Sequence, residues 1–330
     1  MNAQRSRLWL AAAGVFLAVP ALHAQIVKID GSSTVYPVTE AVAEDFQKAK
    51  KNRIKVTVGI SGTGGGFKKF CRGDIDISGA SRPILRKEMD DCRAAGVEYF
   101  ELPVAFDALT VVVNPKNAFV KQLTVAEMKK MWQPGAQGKV TRWNQVNPQW
   151  PDAPMKLFGP GADSGTFDYF TEAVVGKAKS SRGDFTASED DNVLVQGVAR
   201  DVNGLGYFGF AYYVENKDKL KAVPIVNGKG QAVLPSLDAV IAGTYSPLAR
   251  PIFIYVNARS LGKPEVKEFV QYYMAHGAKL SKEVKYVPLP DSAYGVAWDH
   301  VLKGKKGTVF GGTPEVGITI EDLLKREAKL

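Results

Sequence analysis

The sequence predicts an α/β protein of two lobes, one of them interrupted by the other. Short apolar strands alternate with amphipathic helices and end in small polar residues, the pattern of an α/β sheet. Two long β-rich runs stand apart: Ala108-Leu109-Thr110-Val111-Val112-Val113-Asn114-Pro115 and Arg250-Pro251-Ile252-Phe253-Ile254-Tyr255-Val256-Asn257. They flank a middle block of about 135 residues that carries its own helices and its own polar turn. A length of 330 residues is also the material of about two domains. The economical arrangement is a discontinuous first lobe, residues 25–113 and 252–330, with a second lobe, residues 114–251, inserted between two crossover strands that act as a hinge.

Residues 1–24 come before either lobe. They carry Arg5 and Arg7 and no acid, then an almost wholly apolar run from Leu8 to Leu22, then His23-Ala24. A run of about 15 apolar residues is short of the roughly 20 a membrane span needs. This is a secretory signal peptide with cleavage expected after Ala24. The first cysteine is Cys71, far from that site, so no lipid anchor is expected. The expected product is an exported protein.

At 45% hydrophobic and 23% charged residues, disorder and collagen-like order are excluded. The net charge of +9 falls to about +7 when Arg5 and Arg7 leave, still enough to raise the question of an anionic partner. The basic residues are dispersed, apart from Lys303-Gly304-Lys305-Lys306, so nucleic acid is not the expected partner. Two cysteines and three histidines are too few for an iron–sulfur protein or a multi-ligand zinc site, and no metal or cofactor is expected. In an oxidising compartment Cys71 and Cys92 most simply form one disulfide, with two free buried thiols as the alternative. A loop of that length is worth roughly 3 kcal/mol.

From residue 26 the chain reads strand (26–30), turn (Gly31-Ser32-Ser33-Thr34), then helix (38–51) with apolar positions Val38, Ala41, Val42, Phe46 and Ala49. A second unit follows: strand 54–59, turn Ser61-Gly62-Thr63-Gly64-Gly65-Gly66, helix opening at 67–72. A third strand, 75–78, is ended by Gly79-Ala80-Ser81-Arg82-Pro83. The middle block has helices at 125–132 and 167–175 and a turn at 159–166.

Four turns share a composition that ordinary loops lack: Ser32-Ser33-Thr34, Ser61-Gly62-Thr63-Gly64, Ser78-Gly79-Ala80-Ser81 and Asp163-Ser164-Gly165-Thr166. A helix N-terminus presents unpaired N–H groups at the positive end of a dipole, glycine lets backbone approach closely, and hydroxyls add compact donors. Any one such turn is ordinarily an N-cap. Four of them, three in one lobe and one in the other, fit convergence on a small oxyanion.

With these turns in view, the chain resembles the periplasmic phosphate-binding proteins of bacterial high-affinity phosphate ABC transporters. The likeness rests on Gly31-Ser32-Ser33-Thr34-Val35, Ser61-Gly62-Thr63-Gly64-Gly65-Gly66-Phe67, Gly79-Ala80-Ser81-Arg82-Pro83 and Asp163-Ser164-Gly165-Thr166-Phe167, in that order. The resemblance implies a type II periplasmic clamshell that closes over inorganic phosphate. It implies a periplasmic location and delivery to an inner-membrane permease powered by its ATPase, without catalysis, by a monomer. It further implies a ligand shell of Ser33, the Thr34 hydroxyl, the Val35 N–H, a hydroxyl of Ser61 or Thr63, Ser81, and the donors of Ser164, Gly165 and Thr166.

Two positions depart from the family pattern. Arg82 stands where members carry Asp, and no Arg occurs in Phe158-Gly159-Pro160-Gly161-Ala162-Asp163 where one is expected. The expectation is that the roles exchange lobes. Arg82 then supplies a bidentate cation, and Asp163 either accepts the phosphate proton or orients Arg82. The plainer readings are a solvated Arg82 and an Asp163 that caps the helix near Ser164.

Ser188-Glu189-Asp190-Asp191-Asn192 reads as a capping cluster, and Gly204, Gly206 and Gly209 as a glycine-rich strand entry packing aromatics. Rival functions are the same fold holding sulfate, molybdate or a phosphonate and, more remotely, a secreted serine hydrolase built on Ser164. Against the hydrolase, His276 and His300 both follow Ser164, the reverse of the serine-protease order.

Overall fold

The computed structural model describes residues 25–313 and 315–330; the expected signal peptide, residues 1–24, lies outside them. Its main sheet is built from β1 (Gln25–Gly31), β2 (Ile54–Val58), β3 (Ile77–Ala80), β4 (Tyr99–Val113), β5 (Lys156–Pro160), β6 (Thr186–Ser188), β7 (Gly204–Gly209), β8 (Lys221–Ala222) and β9 (Ala249–Asn257). The helices that matter for the site and the core are α1 (Tyr36–Ala49), α2 (Gly62–Cys71), α3 (Arg86–Ala94), α4 (Val125–Trp132), α5 (Gly165–Val175), α6 (Asp191–Arg200), α7 (Phe210–Glu215), α8 (Pro264–Glu283), α9 (Asp291–Leu302) and α10 (Ile320–Glu327).

The strand order is β2-β1-β3-β9-β4-β7-β5-β6, with β8 also on β4. β1, β2 and β3 pair in parallel on one side, and β5, β6 and β7 pair in parallel on the other. The antiparallel pair β4 and β9 runs between them, from Tyr99 opposite Asn257 to Ala108 opposite Ala249. All 15 residues of β4 are buried, as expected of a strand covered on both faces. The molecule is thus a two-lobed clamshell whose lobes share these strands. The turns after β1, β3 and β5 lie at the carboxyl ends of their strands, where α/β sheets bind ligands.

Local sequence accounts for most elements. Pro37 starts α1, whose Val38, Val42 and Phe46 are buried against the sheet and α8. Phe46 meets Phe269 edge-on at 5.3 Å, and truncating it to Ala would cost about 3 to 5 kcal/mol. Thr124 and Glu127 form a capping box that opens α4.

The segment read as a turn, Ser61 to Gly66, is instead the first turn and a half of α2, which begins at Gly62. Glycine is poor in helices, by about 1 kcal/mol each, and that is why the sequence reads as a loop. Packing explains the exception. A Cβ on Gly66 would stand 2.6 Å from Ser78 Oγ and 2.7 Å from Gly31 Cα. The bare helix surface therefore lies directly on β1 and β3. Cys71, at the end of α2, is disulfide-bonded to Cys92 of α3, and among the described residues no cysteine is free. The third strand is 77–80, two residues later than the expected 75–78.

Candidate anion site

The first, third and fourth turns converge where the lobes meet, and α2 contributes Thr63 from the second. Thr34 Oγ1 and Thr166 Oγ1, from opposite lobes, lie 2.8 Å apart. Thr63 Oγ1 accepts from the Ser81 backbone N–H at 3.1 Å and stands 3.2 Å from Ser81 Oγ. Gly165 fits directly against this pair: a Cβ there would sit 2.4 Å from Thr63 Oγ1 and 2.7 Å from Ser81 Oγ. All these hydroxyls are buried. Ser164 caps α5, its Oγ accepting from Thr166 N at 3.1 Å, so Asp163 is not the cap.

The cation among these hydroxyls is Arg250. Its Nη2 donates to Thr166 Oγ1 at 2.7 Å and lies 3.4 Å from Thr34 Oγ1 and 3.2 Å from Asp107 Oδ2, while Nη1 donates to the Gly165 carbonyl at 3.2 Å. The guanidinium lies over the Tyr169 ring, 5.4 Å from its centroid, and its Nε has no protein partner. The side chain is 1% exposed. Arg250 is not in the expected ligand shell. The signal was present: an Arg opening an apolar β run, and an Asp inside the strand it pairs with, are charges where charges are rarely buried unpaired.

Two carboxylates stand behind the first turn. Asp107 is held above the usual carboxylate range by burial, which Arg250 opposes only in part. Asp191, the first residue of α6, accepts from Ser33 Oγ at 3.3 Å and keeps a buried Oδ2 without a partner. Burial, then the neighbouring Asp107, push it up to about 7. Tyr212 and Tyr286 donate to the carbonyls of Ser33 and Thr34 at 3.0 and 2.5 Å, clamping that turn. The cluster around Asp190 is thus both a cap, through Asp190 and Asn192 N at 2.9 Å, and a route into the cleft, through Asp191.

Several expected ligand groups point elsewhere. Ser61 Oγ donates to Asp30, leaving Thr63 as the hydroxyl of that segment on the seam. The Val35 N–H donates to the Ser32 carbonyl at 3.1 Å. The Asp163 carboxylate takes Lys68 Nζ at 2.8 and 2.9 Å, and its carbonyl accepts from Gly64 N at 2.7 Å. It therefore does not orient Arg82.

Arg82 is buried rather than solvated, and four of its five N–H donors are committed. Nε donates to Asp168 at 2.6 Å, the two Nη atoms to Glu88 at 2.8 and 2.7 Å, and Nη1 also to the Pro83 carbonyl at 3.0 Å. An arginine between two carboxylates has no uncompensated charge for an anion. The expected role of bidentate ligand cation is corrected on that ground.

Residues 18–276 match the PBP superfamily domain. Over 302 residues the chain is 57% identical to Protein SphX of Synechococcus elongatus, covering 92% of this chain and 89% of that protein. Over 271 residues it is 39% identical to Phosphate-binding protein PstS of Staphylococcus saprophyticus, covering 81% of this chain and 82% of that one. A Clostridium perfringens protein assigned to a phosphate ABC transporter, and solved with phosphate bound, aligns with a TM-score of 0.68 at 26% identity, over 81% of this chain and 100% of that chain.

Proposed function

The chain belongs to the PBP superfamily, among its phosphate-binding proteins, and we propose that it holds phosphate where Arg250 meets hydroxyls of both lobes. It is a phosphate-binding protein of an ABC transporter. One observation carries the site assignment: the buried Arg250 donates to Thr166 of one lobe and lies within reach of Thr34 of the other. A cation with a single hydrogen-bonded carboxylate, set among compact donors, suits a small anion. Thr34, Thr63, Ser81, Thr166 and the Gly165 N–H at the start of α5 complete the shell, and Ser33 supports it through Asp191.

The anion bridges the lobes, and closure follows from its preference for the closed form over the open one. We take the lobes as residues 25–113 with 252–330, and residues 114–251, turning about the strands they share. Asp107 gives selectivity a chemical basis. A protonated phosphate oxygen can donate to a carboxylate, whereas fully ionised sulfate facing one leaves both unpaired and repelling.

The protein binds without turning its ligand over. Ser164 serves as a helix cap, His276 lies against the Tyr272 ring, and His300 lies beside Glu327, so neither histidine is placed to activate it. An exported monomer, processed after residue 24 and docking on a permease with its ATPase, completes this reading.

Titration calorimetry with phosphate and sulfate at matched ionic strength tests it. Phosphate is expected to bind tightly and sulfate weakly. Equal affinities, or no heat with phosphate, would overturn the selectivity or the site.

A further inference from the structure

We propose that Arg82 and Asp168 form a latch between the lobes, which sets how long phosphate stays bound without either side chain touching it. This rests on the phosphate-binding reading above. Arg82 directly follows Ser81 at the end of β3, in the first lobe, and Asp168 lies in the first turn of α5, two residues past Thr166, in the second. The pair therefore ties together the two turns that carry the anion donors. Arg82 Nε meets Asp168 Oδ2 at 2.6 Å, with the two side chains 4% and 2% exposed.

The geometry divides the bond into a fixed half and a docking half. Glu88, in the same lobe as Arg82, grips both Nη atoms and also accepts from Leu85 N at 2.9 Å, so the guanidinium is already aimed before the lobes meet. The Phe67 ring of α2, 5.8 Å from the guanidinium, backs it from the same lobe. Asp168 has no such support in its own lobe. Its Oδ1 is buried without a hydrogen-bond partner, and the nearest cation there, Lys179, stands 3.8 Å away on a half-exposed side chain. Opening the clamshell separates Asp168 from its only strong partner while Arg82 keeps Glu88. The bond thus exists only in the closed form, and a contact made only there slows opening more than it speeds encounter.

Asp168→Asn removes the charge and keeps the shape. Stopped-flow release of phosphate from the full chain, chased with excess unlabelled phosphate, is expected to quicken by about tenfold or more, with association within about threefold of the parent. Arg82→Gln is expected to do the same, and the double variant to release no faster than the worse single one, because both remove one contact. Release at the parental rate from both single variants would overturn the latch. So would equal changes in association and release, which mark a damaged site rather than a lost closed-state contact. Failure of the parent protein itself to bind phosphate would instead overturn the reading on which the latch rests.

Discussion

Two buried arginines sit at the seam between the lobes, and the difference between them is the clearest lesson of the molecule. Arg82 lies between two carboxylates, Glu88 and Asp168, and its charge is fully compensated within the protein. Arg250 has one hydrogen-bonded carboxylate, Asp107, and its remaining hydrogen bonds go to hydroxyls and a carbonyl. The second nearby acid, Asp191, is pushed up to about 7 and so carries little charge below that pH. A buried cation becomes an anion site when its surroundings under-compensate it, not merely because it is an arginine near a hydroxyl turn. Proximity to the motif favours Arg82; charge balance favours Arg250.

The largest expected effect follows from that contrast. Arg250→Met should weaken phosphate binding by about 3 kcal/mol or more, read by calorimetry. Adding Asp107→Asn, so that no buried carboxylate is left unpaired, should recover folding but not affinity; parental affinity in either variant would return the ligand-cation role to another residue. Next comes Gly165→Ala. The new methyl must enter the space held by Thr63 and Ser81, at a cost of about 1 to 3 kcal/mol in the closed form. Phosphate affinity should fall by roughly tenfold or more, with little change in the melting temperature of the unliganded protein, where the lobes can stand apart.

A smaller effect tests the compensation of Arg250 directly. Because Asp191 is raised, it is neutral below about 7 and becomes a carboxylate above it, adding negative charge beside the anion. Asp191→Asn should therefore bind phosphate about as well as the parent at low pH and better above pH 7, by up to about tenfold. A ratio of affinities that stays flat across pH would show that Asp191 does not sense the ligand. The smallest effect is expected at Lys68, whose pair with Asp163 also joins the lobes but stands 64% and 38% exposed. Lys68→Ala should change affinity by less than about fivefold, and less still in high salt. A large loss there would mean that exposed charge, not the buried pairs, holds the lobes closed.

Much of the architecture was legible because its causes are local. The amphipathic spacing of Val38, Val42 and Phe46 marks α1, the capping box of Thr124 and Glu127 marks α4, and the hydroxyl turns stand at the ends of β1, β3 and β5. The pairing of Cys71 with Cys92 followed from their closeness in the chain. The misread element, α2, failed for a non-local reason: its glycines look like a turn until the surfaces of β1 and β3 are placed beneath them. Ser61 and Thr63 could not be told apart by spacing, because which hydroxyl meets the seam depends on where that helix begins.

The sequence by itself determined the kinds of donors available and the order in which they arrive: four hydroxyl-rich segments, three of them opening helices, answer to short-range backbone chemistry. It did not determine which arginine is left with charge to spare. That choice rests on partners far apart in the chain, Arg82 with Asp168 at a separation of 86 residues and Arg250 with Asp107 at 143. Only the folded chain brings those charges within reach, and burial makes their balance decisive, since in a site shielded from water an uncompensated charge must find a ligand or a counterion.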